Sequence, residues 1–167
     1  MRKLPLLFFC VIILLSGCSA VSEPPADKFK ADFSASYKGV KLKGKIYSPS
    51  NSALTVTLIS PKPMRGYVYK YERDKLSLSY DNMNIKSSVN YLPESDFTKS
   101  VYNVIKSLKK ENNLKTVNSY NSYTEYKGGC ESGVYTIKAE NSSGFIKNIS
   151  LKENKIEIKL FNTKAIN

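Results

Sequence analysis

Hydrophobic residues recur at every second position over most of this chain, and at a helical period over one short stretch. Phe29, Ala31, Phe33, Ala35 and Tyr37 alternate with Lys30, Asp32, Ser34 and Ser36, the pattern of a strand with one buried face. After Lys38-Gly39 a second run repeats it, with Val40, Leu42, Gly44 and Ile46 inward and Lys41, Lys43 and Lys45 outward. The short glycine-containing link predicts an antiparallel hairpin or one long bent strand. Leu54, Val56 and Leu58 give a third strand, between a turn cluster at Ser48 to Ser52 and the prolines of Ser60-Pro61-Lys62-Pro63. Met64 to Glu72 reads as a fourth, with Tyr67, Tyr69 and Tyr71 on one face. Leu76, Leu78 and Tyr80 form the next, and a weak run covers Met83 to Val89.

The period then changes to 3.6. Phe97, Val101, Val104, Ile105 and Leu108 fall within a stripe of about 100° on a helix starting near Ser95. Glu94 and Asp96 at its start, and Lys106, Lys109 and Lys110 at its end, suit the helix dipole. Ser95 or Asp96 is the expected cap and Asn112-Asn113 the expected stop. Its other face is polar and is expected outward. Alternation resumes over Leu114 to Tyr120, Tyr123 to Lys127, Val134 to Glu140, Phe145 to Leu151 and Lys155 to Phe161, with a loop from Gly128 to Gly133. The predicted class is α+β: a strongly curved antiparallel sheet, a half-barrel of about nine to ten strands, with one amphipathic helix packed on it.

The first residues follow a different rule. Arg2 and Lys3 precede an apolar run from Leu4 to Leu15, of signal-peptide length and too short for a bilayer span of roughly 20 residues. Leu15-Ser16-Gly17-Cys18 resembles a bacterial lipobox, which implies a diacylglycerol thioether on Cys18, palmitate-labelled, and cleavage before it. The expected organisation is a signal peptide over residues 1–17, a lipidated tether over 18–28 and a single domain over 29–167. Pro24-Pro25 and the polar residues around it fit a tether. Two or more acyl chains hold a protein stably on a membrane. Cys10 leaves with the signal and Cys18 is acylated, so Cys130 is the one thiol left and no disulfide can form within the domain.

Charge and missing residue types narrow the function. The formal charge is +12, and loss of Arg2 and Lys3 leaves +10. Lysines near anionic headgroups are favourable. Export and the scatter of the lysines argue against a nucleic-acid partner. The Lys-, Asn-, Ser-, Ile- and Tyr-rich composition resembles that of low-GC Gram-positive bacteria, giving an expected location on the extracytoplasmic face of the cell membrane. The absence of histidine removes a Ser-His-Asp triad, a Cys-His pair and imidazole metal ligation. No phosphate loop or calcium loop spacing occurs. Asp74, Asp81 and Glu94 are the acids to inspect for paired-carboxylate chemistry, and they read as solvated turn residues. Two Asn-x-Ser sequons, at Asn141 and Asn148, read as chance. The expectation is a protein that is not an enzyme and has no cofactor and no metal.

Two features point to binding. Tyr67, Tyr69 and Tyr71 form a ladder that packs across strands, lines an apolar chamber, or, if exposed, stacks on sugar rings or another protein. The inward face carries small residues, Ala35 and Gly44, which either leave space for a ligand or permit bending. The F-x-A-x-Y run, the glycine-containing strand after it and Ser60-Pro61-Lys62-Pro63-Met64-Arg65-Gly66-Tyr67 resemble the LolA/LolB-type lipoprotein carriers over roughly Phe29 to Leu108. That resemblance implies an incomplete antiparallel barrel capped by helices, with an apolar cavity for acyl chains. Met64 and Arg65 match the apolar-Arg step of its motif. The candidate ligand-binding residues are Phe33, Ala35, Leu42, Val56, Leu58, Met64, Tyr67, Tyr69 and Leu78. The expected function is binding of a lipid or other hydrophobic ligand in a half-barrel cavity. The alternative is an envelope protein–protein module with a solid core and an exposed tyrosine ladder.

Overall fold

The alternating runs form strands and the 3.6-period run forms a helix. The computed structural model describes residues 23–109 and 113–166; the proposed signal peptide and Cys18 lie outside the described residues. Among the described residues eleven strands make one antiparallel sheet in the order β6-β5-β4-β3-β2-β1-β11-β10-β9-β8-β7. They are β1 (Phe29–Tyr37), β2 (Val40–Ser50), β3 (Ala53–Ser60), β4 (Val68–Glu72), β5 (Lys75–Tyr80), β6 (Met83–Ser88), β7 (Lys115–Ser119), β8 (Tyr123–Cys130), β9 (Gly133–Glu140), β10 (Ile146–Leu151) and β11 (Ile156–Ala165). The sheet is curved and open, with β6 and β7 as its end strands. Among the described residues a single α-helix, α1 (Phe97–Ser107), joins the two arms. This is the half-barrel expected, with two refinements of the count: the first two runs are separate strands, and the weak run at Met83 forms.

Four local expectations are corrected. Lys62-Pro63-Met64 winds into a 3-10 turn rather than opening β4, with the Met64 and Arg65 amides donating to Pro61 and Lys62; β4 starts only after Gly66, whose φ of +91° reverses the chain. Val40 is 47% exposed rather than inward, because it sits at the hairpin turn, beyond the cover of the helix. Gly128, Gly129 and Cys130 continue β8 instead of forming a loop. The helix has no fully polar outer face: Thr98, Lys99, Ser100, Asn103 and Ser107 are all buried.

The burial of polar helix residues follows from curvature. A helix lying in a curled sheet meets both arms and the hairpin tips, so few of its sides face water. Tyr102 donates its hydroxyl to Arg73 O in the β4–β5 turn (2.6 Å), while the adjacent Asn103 donates to Ser132 Oγ in the β8–β9 turn (2.9 Å). Lys99 is neutralised by Glu94 Oε1 at 2.6 Å and donates to Leu92 O at 2.8 Å. Asp96 caps the helix, its Oδ1 accepting from the Lys99 amide.

Two glycines allow the bend. Gly44 faces Phe33 across β1–β2, and Gly128 faces Tyr135 across β8–β9. A Cβ on Gly44 would lie 2.1 Å from Thr57 O and 2.7 Å from the Phe33 ring. A Cβ on Gly128 would lie 2.5 Å from the Tyr135 ring. Each arm therefore carries an aromatic ring laid over the glycine opposite it, a device that combines curvature with core filling.

Candidate functional site

The concave face divides into a covered part and an open part. Of the nine candidate ligand-binding residues, Phe33, Ala35, Leu42, Val56 and Leu58 are buried in the core. Phe97 of the helix packs on the Phe33 ring, with centroids 5.7 Å apart. Gly44 does not leave a void, because the Phe33 ring occupies the space its side chain would take. Met64, Tyr67, Tyr69 and Leu78 are half-buried.

The register explains this division. Leu54, Tyr71 and Leu76 make one row across β3, β4 and β5, and all three are buried. The next row is Val56, Tyr69, Leu78 and Ile85. Its exposure rises from 0% at Val56 to 59% at Ile85. A third row brings Tyr67 beside Leu58 through the Leu58 amide to Tyr67 O bond (2.9 Å). Tyr67 stacks on Tyr80, centroids 4.5 Å apart, and Tyr80 pairs with Met83, which is 62% exposed. Beyond the helix, the concave face of β4, β5 and β6 is thus an apolar apron open to solvent.

The ladder of tyrosines faces this concavity. Tyr71, at its inner end, is fully buried and donates to Thr98 Oγ1 (2.6 Å), which in turn donates to Asp96 Oδ1 (2.7 Å). Burial raises the Tyr71 hydroxyl far above the ordinary tyrosine range. Tyr69 is raised too, first by burial and then by the Asp96 carboxylate. Both remain neutral at any physiological pH, so Tyr69 gives the apron an apolar ring with an uncharged polar tip.

Tyr80, Met83 and Ile85 belong to the same surface and are absent from the candidate ligand-binding residues. Their alternation was visible; what covers a strand face is not encoded in the strand's own period. Among the acids, Asp74 and Asp81 are exposed turn residues and Glu94 is tied to Lys99 and Asn103. Among the described residues no three His, Cys, Asp or Glu side chains are placed to hold a metal ion, and no helix is long and apolar enough to cross a membrane.

Comparison with known proteins places the fold. No protein-family model and no curated protein matches this sequence. A crystal structure does. An uncharacterized conserved protein from Thermus thermophilus is similar over 95% of this chain and 88% of its own, at 12% identity and a TM-score of 0.54. That likeness shows a shared fold. A LolA superfamily protein from Nitrosomonas europaea is similar over 89% of this chain and 91% of its own, at 10% identity and a TM-score of 0.48. The Mycobacterium tuberculosis lipoprotein LppX is similar over 83% and 88%, at 10% identity and a TM-score of 0.39.

Proposed function

We propose that this chain is an exported lipoprotein, acylated on Cys18, whose domain binds the apolar part of an amphiphile on the open concave face of β4 to β6. One observation carries the reading: Met83 and Ile85 stay 62% and 59% exposed on the inner face of the sheet, in register with Tyr80 and Leu78. Covering a side chain of that size is worth about 1.5–3 kcal/mol. Exposed apolar groups gathered on one concave surface mark a binding site more often than chance. Beneath the helix the face is filled, so the ligand lies on the apron rather than in a closed chamber.

The LolA/LolB resemblance of Met64-Arg65 and its flanks supports the same choice of ligand. Docking of an envelope protein on this surface is the second reading, favoured by the position of Met83 and Ile85 on an end strand of the sheet, where a partner could add to the edge. Organic extraction of the purified protein followed by mass spectrometry separates them. A stoichiometric amphiphile supports the first. Its absence, with no binding of a fluorescent fatty acid, leaves the second. For the anchor, Cys18→Ser in cells abolishes incorporation of radioactive palmitate; continued labelling would refute acylation at that position.

A further inference from the structure

The segment before β1 was expected to be a tether, yet it is bound to the domain from Glu23 onward. The Glu23 amide donates to Asn141 O (3.0 Å) and the Ala26 amide to Gly144 O (2.8 Å), both in the β9–β10 turn. Ser48 Oγ donates to Asp27 O (2.6 Å), and the buried Asp27 carboxylate meets Lys109 Nζ at 3.1 Å. Only residues 19–22 lie between Cys18 and this docked stretch. Five Cα steps span at most about 18 Å. An acyl group on Cys18 therefore holds the end of the domain that carries the β9–β10 turn and the start of β1 close to the bilayer.

The outer face of the sheet at that end has a distinctive composition. Tyr47, Lys30 and Lys164 form one row across β2, β1 and β11. Lys45, Asp32 and Phe161 form the next, and Lys43, Ser34 and Lys159 the third. Five lysines thus share the surface with one carboxylate, Asp32, which accepts from Asn162 Nδ2 at 2.8 Å. Tyr47 and Phe161 are each 45% exposed among them. A cleft of about 710 Å³ opens here between Lys30, Lys45, Tyr47 and Lys164. Adjacent strands lie about 4.8 Å apart, so neighbouring lysines can meet neighbouring headgroups. Cations beside aromatic side chains suit the boundary between anionic headgroups and acyl chains.

We propose that the outer face of β2, β1 and β11 is a membrane-contact surface that lies against anionic phospholipid headgroups and fixes the orientation of the domain on the bilayer. The inference rests on the acylation of Cys18. The occupant is a lipid surface because the short link brings one within reach of the patch.

Reconstitution of the full acylated protein tests it, in vesicles of phosphatidylcholine alone or mixed in equal parts with phosphatidylglycerol. A membrane-impermeant amine-acetylating reagent is applied in pulses and read by mass spectrometry. Lys30, Lys45 and Lys164 should label at least about threefold more slowly in the anionic vesicles. Lys86 on β6 and Lys127 on β8, in the two far arms, should be unchanged, and high salt should remove the protection. Lys30→Glu with Lys164→Glu, both exposed, should abolish the lipid dependence at Lys45. Labelling of Lys30, Lys45 and Lys164 at the same rate in both kinds of vesicle, on vesicle-bound protein, overturns the contact surface and leaves the anchor standing. Protein that does not sediment with either vesicle overturns the anchor and the contact surface with it.

Discussion

Tyr71 of β4 lies flat against Tyr102 of the helix, with ring centroids 4.8 Å apart and planes 12° from parallel. Both rings are fully buried, and each uses its hydroxyl on a different element, Tyr71 on Thr98 and Tyr102 on Arg73 O. The pair locks the helix to the arm that carries the apron. Tyr71→Ala should cost about 3–5 kcal/mol, the range for losing a buried aromatic ring. Tyr71→Phe keeps the stack and should cost only about 1 kcal/mol for the hydrogen bond. Urea unfolding of the two variants checks both figures.

The two glycine–aromatic pairs predict a contrast between neighbours. Gly128→Ala drives a methyl into the Tyr135 ring and should destabilise by about 1–3 kcal/mol. Gly129 has open space where a Cβ would go and no positive φ, so Gly129→Ala should be neutral or slightly stabilising. Gly44→Ala, pressed against the Thr57 carbonyl oxygen, should behave like Gly128→Ala. Thermal melts of the three variants give the comparison directly.

Alkaline pH should unfold the protein in a defined sense. Burial raises the hydroxyls of Tyr71, Tyr102 and Tyr135 above the ordinary value of 10.0; at Tyr102 the Asp74 and Glu131 carboxylates add to it. Above pH 10 the unfolded chain loses these protons before the folded chain does. Stability is therefore full below about pH 10 and declines as pH rises beyond it. Tyrosinate absorbance should rise in two phases, the part that belongs to the buried three appearing only with loss of β-sheet circular dichroism. A single phase that precedes unfolding would contradict the burial.

The Glu94–Lys99 pair predicts an asymmetry. Lys99 is 2% exposed while the Glu94 side chain is 48% exposed. Glu94→Gln leaves a buried ammonium without its counter-charge and should cost about 2–4 kcal/mol. Lys99→Met removes the charge, keeps the aliphatic stem, and should cost less. Denaturant midpoints for both variants decide the order.

Much of this architecture was legible in residue periodicity. Phe29 to Ala35, Leu42 to Ile46 and Leu54 to Leu58 declared their buried faces, and Phe97 to Leu108 declared the helix. Three things were hidden, each for a physical reason. The enclosure of Ser100, Asn103 and Ser107 depends on hairpin tips distant in sequence, which no local pattern records. Gly128-Gly129 reads as a loop until Tyr135 is known to lie over it. The split of the candidate site, with Phe33 to Leu58 covered and Met64 to Leu78 open, depends on where the helix ends. Tyr80, Met83 and Ile85 were missed for that same reason.

The central claim is that an amphiphile lies on the apron of β4 to β6. Fluorescent fatty-acid titration of the wild-type chain, Ile85→Asp and the outer-face variant Lys86→Asp tests it most directly. Ile85 is 59% exposed and its neighbour Lys86 is exposed on the opposite face, so both variants should fold with unchanged melting temperature. The account predicts saturable binding to wild type and Lys86→Asp, and at least about tenfold weaker binding to Ile85→Asp, the loss of one buried aliphatic contact. Equal affinity in all three proteins, or no binding to any, would contradict it.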